Sequence, residues 1–270
     1  MENIDLSKTT IIIPVKIEHR DRYRNAKCTL NFLNRYLNTH VFIFEVSSSG
    51  ESRLDFLGEL TNLNIKHWVC PEEASFHRTK YLNLMLDEVE TPVVINYDID
   101  VLLSPSNYLG CQNRILSNEA SVIYPYELGM GQYQVMDSFD YQGFYDSGFS
   151  YDFLSRGDNL NTFPAECGHC IFFNTETYRK FGGENENFIS YGPEDKERMM
   201  RFKKLLGDGV QWVPGEKVFH FEHYRSADSS HYNPHFRNNW SVYEKISSMG
   251  LEEMKDYYSS IDYREKYKNI

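Results

Sequence analysis

No stretch of the 270-residue sequence approaches the ~20 consecutive apolar residues that a membrane-spanning helix needs. Positive charge is also in short supply: 28 Lys and Arg stand against 39 Asp and Glu, a formal net charge of −11. Binding a polyanion relies on clustered Lys and Arg that displace counterions, so this balance argues against nucleic acid as the main partner. Residues Met1 to Leu6 lack the basic region and apolar run of a secretory signal. The expectation is a soluble, cytoplasmic protein with peripheral membrane association at most. No internal repeat is apparent.

Cysteine is sparse too. The five residues (Cys28, Cys70, Cys111, Cys167, Cys170) are odd in number and widely spaced, which speaks for reduced thiols. Cys167-Gly168-His169-Cys170 has C-x-x-C spacing and resembles the redox motif of protein disulfide isomerases. A redox motif of that kind opens a helix, whose dipole lowers the first thiol pKa. Here Ile171-Phe172-Phe173 follows and reads as a buried strand. A structural zinc site would need a second ligand pair at matching spacing, which is absent.

What the chain has in quantity is aromatic side chains, 15% of its residues, spread with branched aliphatics along its length. That composition covers a core and excludes disorder, and the length suits one large domain. Strands are expected at Thr9–Val15, Val41–Val46, Ile65–Val69 and Pro92–Tyr97, where short β-branched or aromatic runs occur. Between them, residues 21–37, 53–60 and 76–89 space their apolar positions as helices do. The alternation predicts an α/β, Rossmann-like unit with a mainly parallel sheet and binding sites beyond its C-terminal strand ends. Residues 124–163 then hold eleven aromatics with little periodicity, which reads as a long functional loop and a saccharide-binding surface. A strand at 170–173, helices at 175–181 and 194–206, and a strand at 217–221 follow.

Three motifs carry chemistry. Asp98-Ile99-Asp100 follows a buried strand, where two carboxylates are costly unless they face a site, and such a pair suits a hard divalent ion. His220-Phe221-Glu222-His223 supplies two imidazoles that reach one ion only if the chain turns between them. Tyr191-Gly192-Pro193-Glu194-Asp195 puts two acids in a first helical turn, where the macrodipole favours the anion.

Taken in order, these segments resemble the GT-A glycosyltransferases, most closely the β-1,4-galactosyltransferases and the related C-terminal domain of bacterial chondroitin polymerases. Ile11-Ile12-Ile13-Pro14 is similar to the first strand entering the nucleotide site, and Phe76-His77-Arg78-Thr79-Lys80-Tyr81-Leu82-Asn83 to the F-N-R-A-K-x-x-N segment. Tyr97-Asp98-Ile99-Asp100 resembles the D-x-D strand end. Phe181-Gly182-Gly183 with residues 191–195 resembles G-G followed by W-G-G-E-D, and His223-Tyr224-Arg225 resembles H-S-R. The resemblance runs over roughly residues 10–225 and implies a single GT-A domain over residues 1–239, with a nucleotide-binding half (1–103) and an acceptor and catalytic half (104–239); residues 240–270 are polar, rich in Tyr, Lys and Glu, and read as a helical appendage.

It further implies that Asp100 and His223 ligate Mn2+ or Mg2+, with His220 at the position of a methionine ligand. Pro14, Lys16, Arg78, Lys80 and Asp98 would meet the nucleotide-sugar, Arg78 and Lys80 adding local positive charge. Asp195 would be the base that takes the acceptor proton, with Glu194, Tyr191 and Gly192 holding the sugars. Tyr191 replaces a tryptophan, a smaller stacking platform. The implied activity is metal-dependent, inverting transfer of galactose or an N-acetylhexosamine from a UDP-sugar to a saccharide or glycolipid, in bacterial surface polysaccharide synthesis. Three alternatives stand beside it: a retaining N-acetylgalactosaminyltransferase-like enzyme, a catalytically silent sugar-binding module, and a nucleotidyltransferase.

Overall fold

A computed structural model describes residues 3–71, 75–156 and 160–261; parts of the expected 124–163 loop and of the 240–270 tail, namely 157–159 and 262–270, lie outside the described residues. The first half alternates as the sequence suggests: β1 (Ile4–Lys16), α1 (Arg20–Tyr36), β2 (Leu37–Ser47), β3 (Leu63–Pro71), α2 (Arg78–Asp87) and β4 (Val93–Tyr97). The expected helix at 53–60 is the exception, shrinking to a 3-10 turn at Leu57–Glu59. The fully buried Glu45 accepts from the Ser52 hydroxyl (2.8 Å) and the Arg53 amide (2.8 Å), fixing that backbone to the end of β2.

Beyond β4 come β5 (Val101–Leu102), α3 (Pro105–Leu116), β6 (Val122–Tyr124), β7 (Gly129–Val135), α4 (Tyr141–Asp146), α5 (Tyr151–Ser155) and β8 (Leu160–Ala165). They are followed by β9 (Cys170–Asn174), α6 (Thr175–Lys180), α7 (Glu194–Leu206), β10 (Val210–Trp212), β11 (Val218–Phe221), α8 (Phe236–Ser247) and α9 (Leu251–Ser259). Seven strands form one sheet in the order β10-β6-β9-β4-β1-β2-β3, parallel except where β9 pairs with β4 and β6. A second sheet runs β5-β11-β7-β8. Ile11, Ile12 and Ile13 of β1 are all fully buried, as a central parallel strand covered on both faces requires.

The described residues of 124–163 are therefore not a loop but carry β7, α4, α5 and β8. Phe139, Phe144 and Phe153 pack ring against ring, and Phe139 and Phe144 also meet Phe221. Tyr124 and Tyr126 are fully buried, and of the eleven aromatics only Phe163 is largely exposed. The segment spends its aromatics on the core beneath the second sheet. The tail also differs from a polar appendage: α8 begins at Phe236, so the expected boundary at 239 falls inside a helix. Ile246, Met249, Met254 and Tyr258 close a second small core with Phe188.

Candidate active site

β1 and β4 run parallel, and a cleft of about 300 Å³ opens beyond their C-terminal ends. Ten sequence-derived residues line it: Pro14, Lys16, Arg78, Asp98, Asp100, Tyr191, Glu194, Asp195, His220 and His223. Lys80 and Gly192 do not. Lys80 follows Arg78 by two positions on α2, about 200° around the helix. A Cβ at Gly192 would lie 2.7 Å from Asn239 Nδ2, so this glycine admits α8 rather than a sugar. None of the eleven aromatics of 124–163 lines the cleft either.

The D-x-D segment leaves β4 in a turn and divides its acids between two partners. Arg78 donates to Asp98 Oδ1 at 2.6 Å. Asp100, 2% exposed, faces His223 Nε2 at 3.3 Å and His220 Nε2 at 3.7 Å. The two histidines converge because the chain turns after Phe221: Arg24 and Asn25 on α1 both donate to the Glu222 carbonyl at 3.1 Å, and the Glu222 amide donates to Val135 O. The ligand atoms of Asp100, His220 and His223 all lie within 4.8 Å of one another.

The remaining ring nitrogens are tied down. His220 Nδ1 meets Gln134 Oε1 at 2.9 Å, and His223 Nδ1 meets the Tyr224 carbonyl at 2.8 Å, so we assign the proton of each ring to Nδ1. Burial pushes His220 down to about 3, against the pull of Asp100, so its imidazole is neutral. Burial alone would raise the Asp100 carboxyl, but the positive charge around it, the Arg22 guanidinium included, holds it below its ordinary value. Two ring nitrogens and a carboxylate thus point at one another, an arrangement that a cation satisfies. The residues present fit a divalent ion.

Glu194 and Asp195 open α7, whose first turn also holds Glu197. Burial, with Asp195 beside it, pushes the Glu194 carboxyl up to about 8, and its Oε2 has no hydrogen-bond partner among the described residues. Asp195 is a third exposed and pairs with Arg198, which is itself held by the buried Glu184 at 2.8 and 2.9 Å. Lys16 is engaged by Glu18 (2.7 Å) and Asp228 (3.0 Å).

Several lining residues escape a motif-based reading. Arg22, in the first turn of α1 just past β1, donates to Asp100 Oδ2 at 2.9 Å. His169 enters through the C-x-x-C segment, where the cysteines draw attention instead. Those cysteines are buried, and burial pushes the Cys167 thiol up to about 12, the opposite of a redox-active thiolate.

No protein-family model and no curated protein matches the sequence. Solved structures do. GalNAc-T7 in a crystal with UDP, GalNAc and Mn2+ aligns with a TM-score of 0.60 at 13% identity, over 93% of this chain and 49% of that one. Residues 1–349 of S. aureus TarS in complex with UDP-GlcNAc align with a TM-score of 0.57 at 12% identity, over 91% and 69%. The mannosyltransferase PcManGT from Pyrobaculum calidifontis, in complex with GDP-Man and Mn2+, aligns with a TM-score of 0.50 at 12% identity, over 92% and 62%. This chain spans about half the length of GalNAc-T7 and about two thirds of the other two. At such identities the likeness speaks to architecture, and the architecture of this chain is that of the GT-A glycosyltransferases.

Proposed function

We propose that this protein is a metal-dependent, inverting glycosyltransferase that moves a hexose or N-acetylhexosamine from a UDP-sugar to a saccharide or glycolipid acceptor. The observation that carries the proposal is the meeting, in one cleft, of a carboxylate–bis-imidazole triad and a helix-borne acid pair. The bound nucleotides of GalNAc-T7 and TarS, and the Mn2+ of GalNAc-T7, agree with this reading of a shared fold. Polysaccharide or glycolipid synthesis is the proposed setting.

The roles follow from the chemistry. A divalent ion held by Asp100, His220 and His223 would supply Lewis-acid neutralisation of the departing diphosphate. Arg78, fixed by Asp98, contributes permanent positive charge to the nucleotide end of the cleft. Asp195 accepts the proton of the attacking acceptor hydroxyl, the role of a positioned general base. Arg198 pairs with Asp195 and restricts its rotamer. Tyr191, 38% exposed and stacked at 5° on Phe236, offers a ring face to the apolar side of a sugar.

Asp195→Asn is expected to abolish transfer while UDP and Mn2+ still bind, because Glu184 continues to hold Arg198. Undiminished transfer by that variant would remove Asp195 as the base. The anomeric configuration of the product, read by NMR, separates inversion from the retaining alternative. A panel of UDP-sugars with Mn2+, scored for UDP release, separates transfer from sugar binding alone, and pyrophosphate release would instead indicate nucleotidyl transfer.

A further inference from the structure

His169 is a non-glycine residue at φ +70°, in the left-handed region that His, Asn and Asp enter more readily than other side chains. The segment is held there by contacts that do not involve the imidazole. Its carbonyl accepts from the Asp98 amide at 2.9 Å, and the carbonyl of Gly168 accepts from the buried Tyr126 hydroxyl at 2.7 Å. Residues 168 and 169 thus form part of the cleft wall, fixed to the D-x-D turn on one side and to the core on the other.

The position of the wall says which part of a substrate it meets. The His169 ring lies 5.4 Å from that of His220, one of the triad imidazoles. Its neighbour Gly168 abuts the acid pair, since a Cβ there would lie 3.3 Å from Asp195 Oδ2. The segment therefore joins the end that would hold the diphosphate to the carboxylate that would meet the acceptor hydroxyl. The transferred sugar has to lie between those two ends.

The chemistry of the ring separates it from the triad. His220 and His223 each have Nδ1 anchored and Nε2 aimed at Asp100. Neither ring nitrogen of His169 hydrogen-bonds another described residue, and no atom of His169 belongs to the triad grouping. Tyr126 meets the ring in an edge contact at 5.8 Å, and His169 lines the cleft. One donor and one acceptor at that point suit a pair of sugar hydroxyls.

We infer that His169 contacts the transferred sugar, its imidazole hydrogen-bonding a hexose hydroxyl and setting which epimer is accepted. This rests on the glycosyltransferase reading above. A site built to hydrogen-bond a particular hydroxyl rejects the analogue that lacks or inverts it, because its own polar atoms are then left unpaired.

The test uses the full chain with Mn2+, comparing wild type, His169→Gly and His169→Asn. Glycine and asparagine both tolerate positive φ, so both variants are expected to fold with a melting temperature near or above that of wild type. Calorimetry measures UDP, Mn2+, and the four donors UDP-galactose, UDP-glucose and their N-acetylated forms. The expected result is unchanged UDP and Mn2+ affinity, with the spread in affinity and in kcat/KM among the four donors collapsing about tenfold in His169→Gly and partly restored in His169→Asn. A preserved donor ranking in His169→Gly would overturn the inference, as would a fall in Mn2+ affinity, which would make His169 a metal-site residue. If wild type binds none of the four donors, the glycosyltransferase reading itself fails.

Discussion

Arg22 Nη1 donates to Asp100 Oδ2 at 2.9 Å, the same oxygen that stands 3.3 Å from His223 Nε2. A guanidinium on that oxygen stabilises the buried carboxylate and at the same time repels any divalent ion that shares it. Arg22→Gln is therefore expected to bind Mn2+ about three- to tenfold more tightly, since a unit of positive charge beside the site disappears. The metal-free protein should lose about 1–3 kcal/mol, because a buried carboxylate is left with fewer donors. Calorimetry with Mn2+ alone, beside denaturant melts in chelator, reads both effects. Weaker Mn2+ binding by the variant would show that Arg22 supports the ion instead of competing with it.

The Glu194 carboxyl, pushed up to about 8 from an ordinary 4.5 by burial and by Asp195, links stability to pH. Between those two values the folded protein keeps a proton that the unfolded chain has released. The stability this contributes is fully present below about pH 4.5 and is lost as the pH rises towards 8. Glu194→Gln has no proton to lose, so it should gain on wild type by up to about 1.4 kcal/mol for each pH unit across that window. Urea midpoints at pH 5, 6.5 and 8 check this. Parallel curves for the two proteins would mean that Glu194 is ionised throughout.

These two residues also mark where the sequence is legible and where it is not. β1 and β4 are evident from their unbroken apolar runs, because a strand covered on both faces has no polar side to alternate with. Asp98, Asp100, His220, His223, Glu194 and Asp195 are recognisable by type, and the structure brings all six to one cleft. The turn that aims His223 is not legible, since it depends on Arg24 and Asn25 reaching Glu222 from nearly two hundred residues earlier. Arg22 is hidden for the same reason. The apolar spacing of Leu54, Phe56 and Leu60 imitates a helix, but those residues are buried around a short turn pinned by Glu45. The aromatics of 124–163 mislead in the other direction: they are shared among two short helices, the turns around them and strands of both sheets, so neither period shows, and a core segment reads as a binding loop.

Arg198 is 1% exposed and sits between the carboxylates of Glu184 and Asp195. Glu184 also accepts from Asn96 at 2.9 Å and from the Tyr178 hydroxyl, which ties α7 to β4. Removing one partner of a buried pair leaves an uncompensated charge, so Glu184→Gln should cost about 3–5 kcal/mol. Replacing both partners by apolar side chains of similar size, Glu184→Leu with Arg198→Met, should recover much of that loss. It should nevertheless weaken any function of Asp195, which loses its remaining fixed partner. Denaturant melts of the single and double variants decide the first point, and UDP release decides the second. A double variant no more stable than Glu184→Gln alone would show that shape, not charge, dominates here.

Tyr258 decides whether α8 and α9 are an appendage or part of the domain. Its hydroxyl donates to Glu197 Oε1 on the helix that carries Glu194 and Asp195, and accepts from Asn185 at 3.0 Å. Its ring lies under Arg201, whose guanidinium is 4.2 Å from the ring centroid. Gly182, at φ +90°, makes room for that ring, since a Cβ there would lie 2.7 Å from Tyr258 Cδ1. Glu197 and Arg201 form a buried i, i+4 pair at 2.9 Å, so the tyrosine completes a network rather than covering a surface. Tyr258→Phe removes one charge-assisted hydrogen bond and should cost about 1.5–3 kcal/mol. Gly182→Ala adds left-handed strain to a clash and should cost at least as much. Both variants should retain UDP and Mn2+ affinity under conditions where they are folded, because Tyr258 and Gly182 lie outside the cleft. Melting curves matching wild type for both variants would return the tail to the status of an appendage.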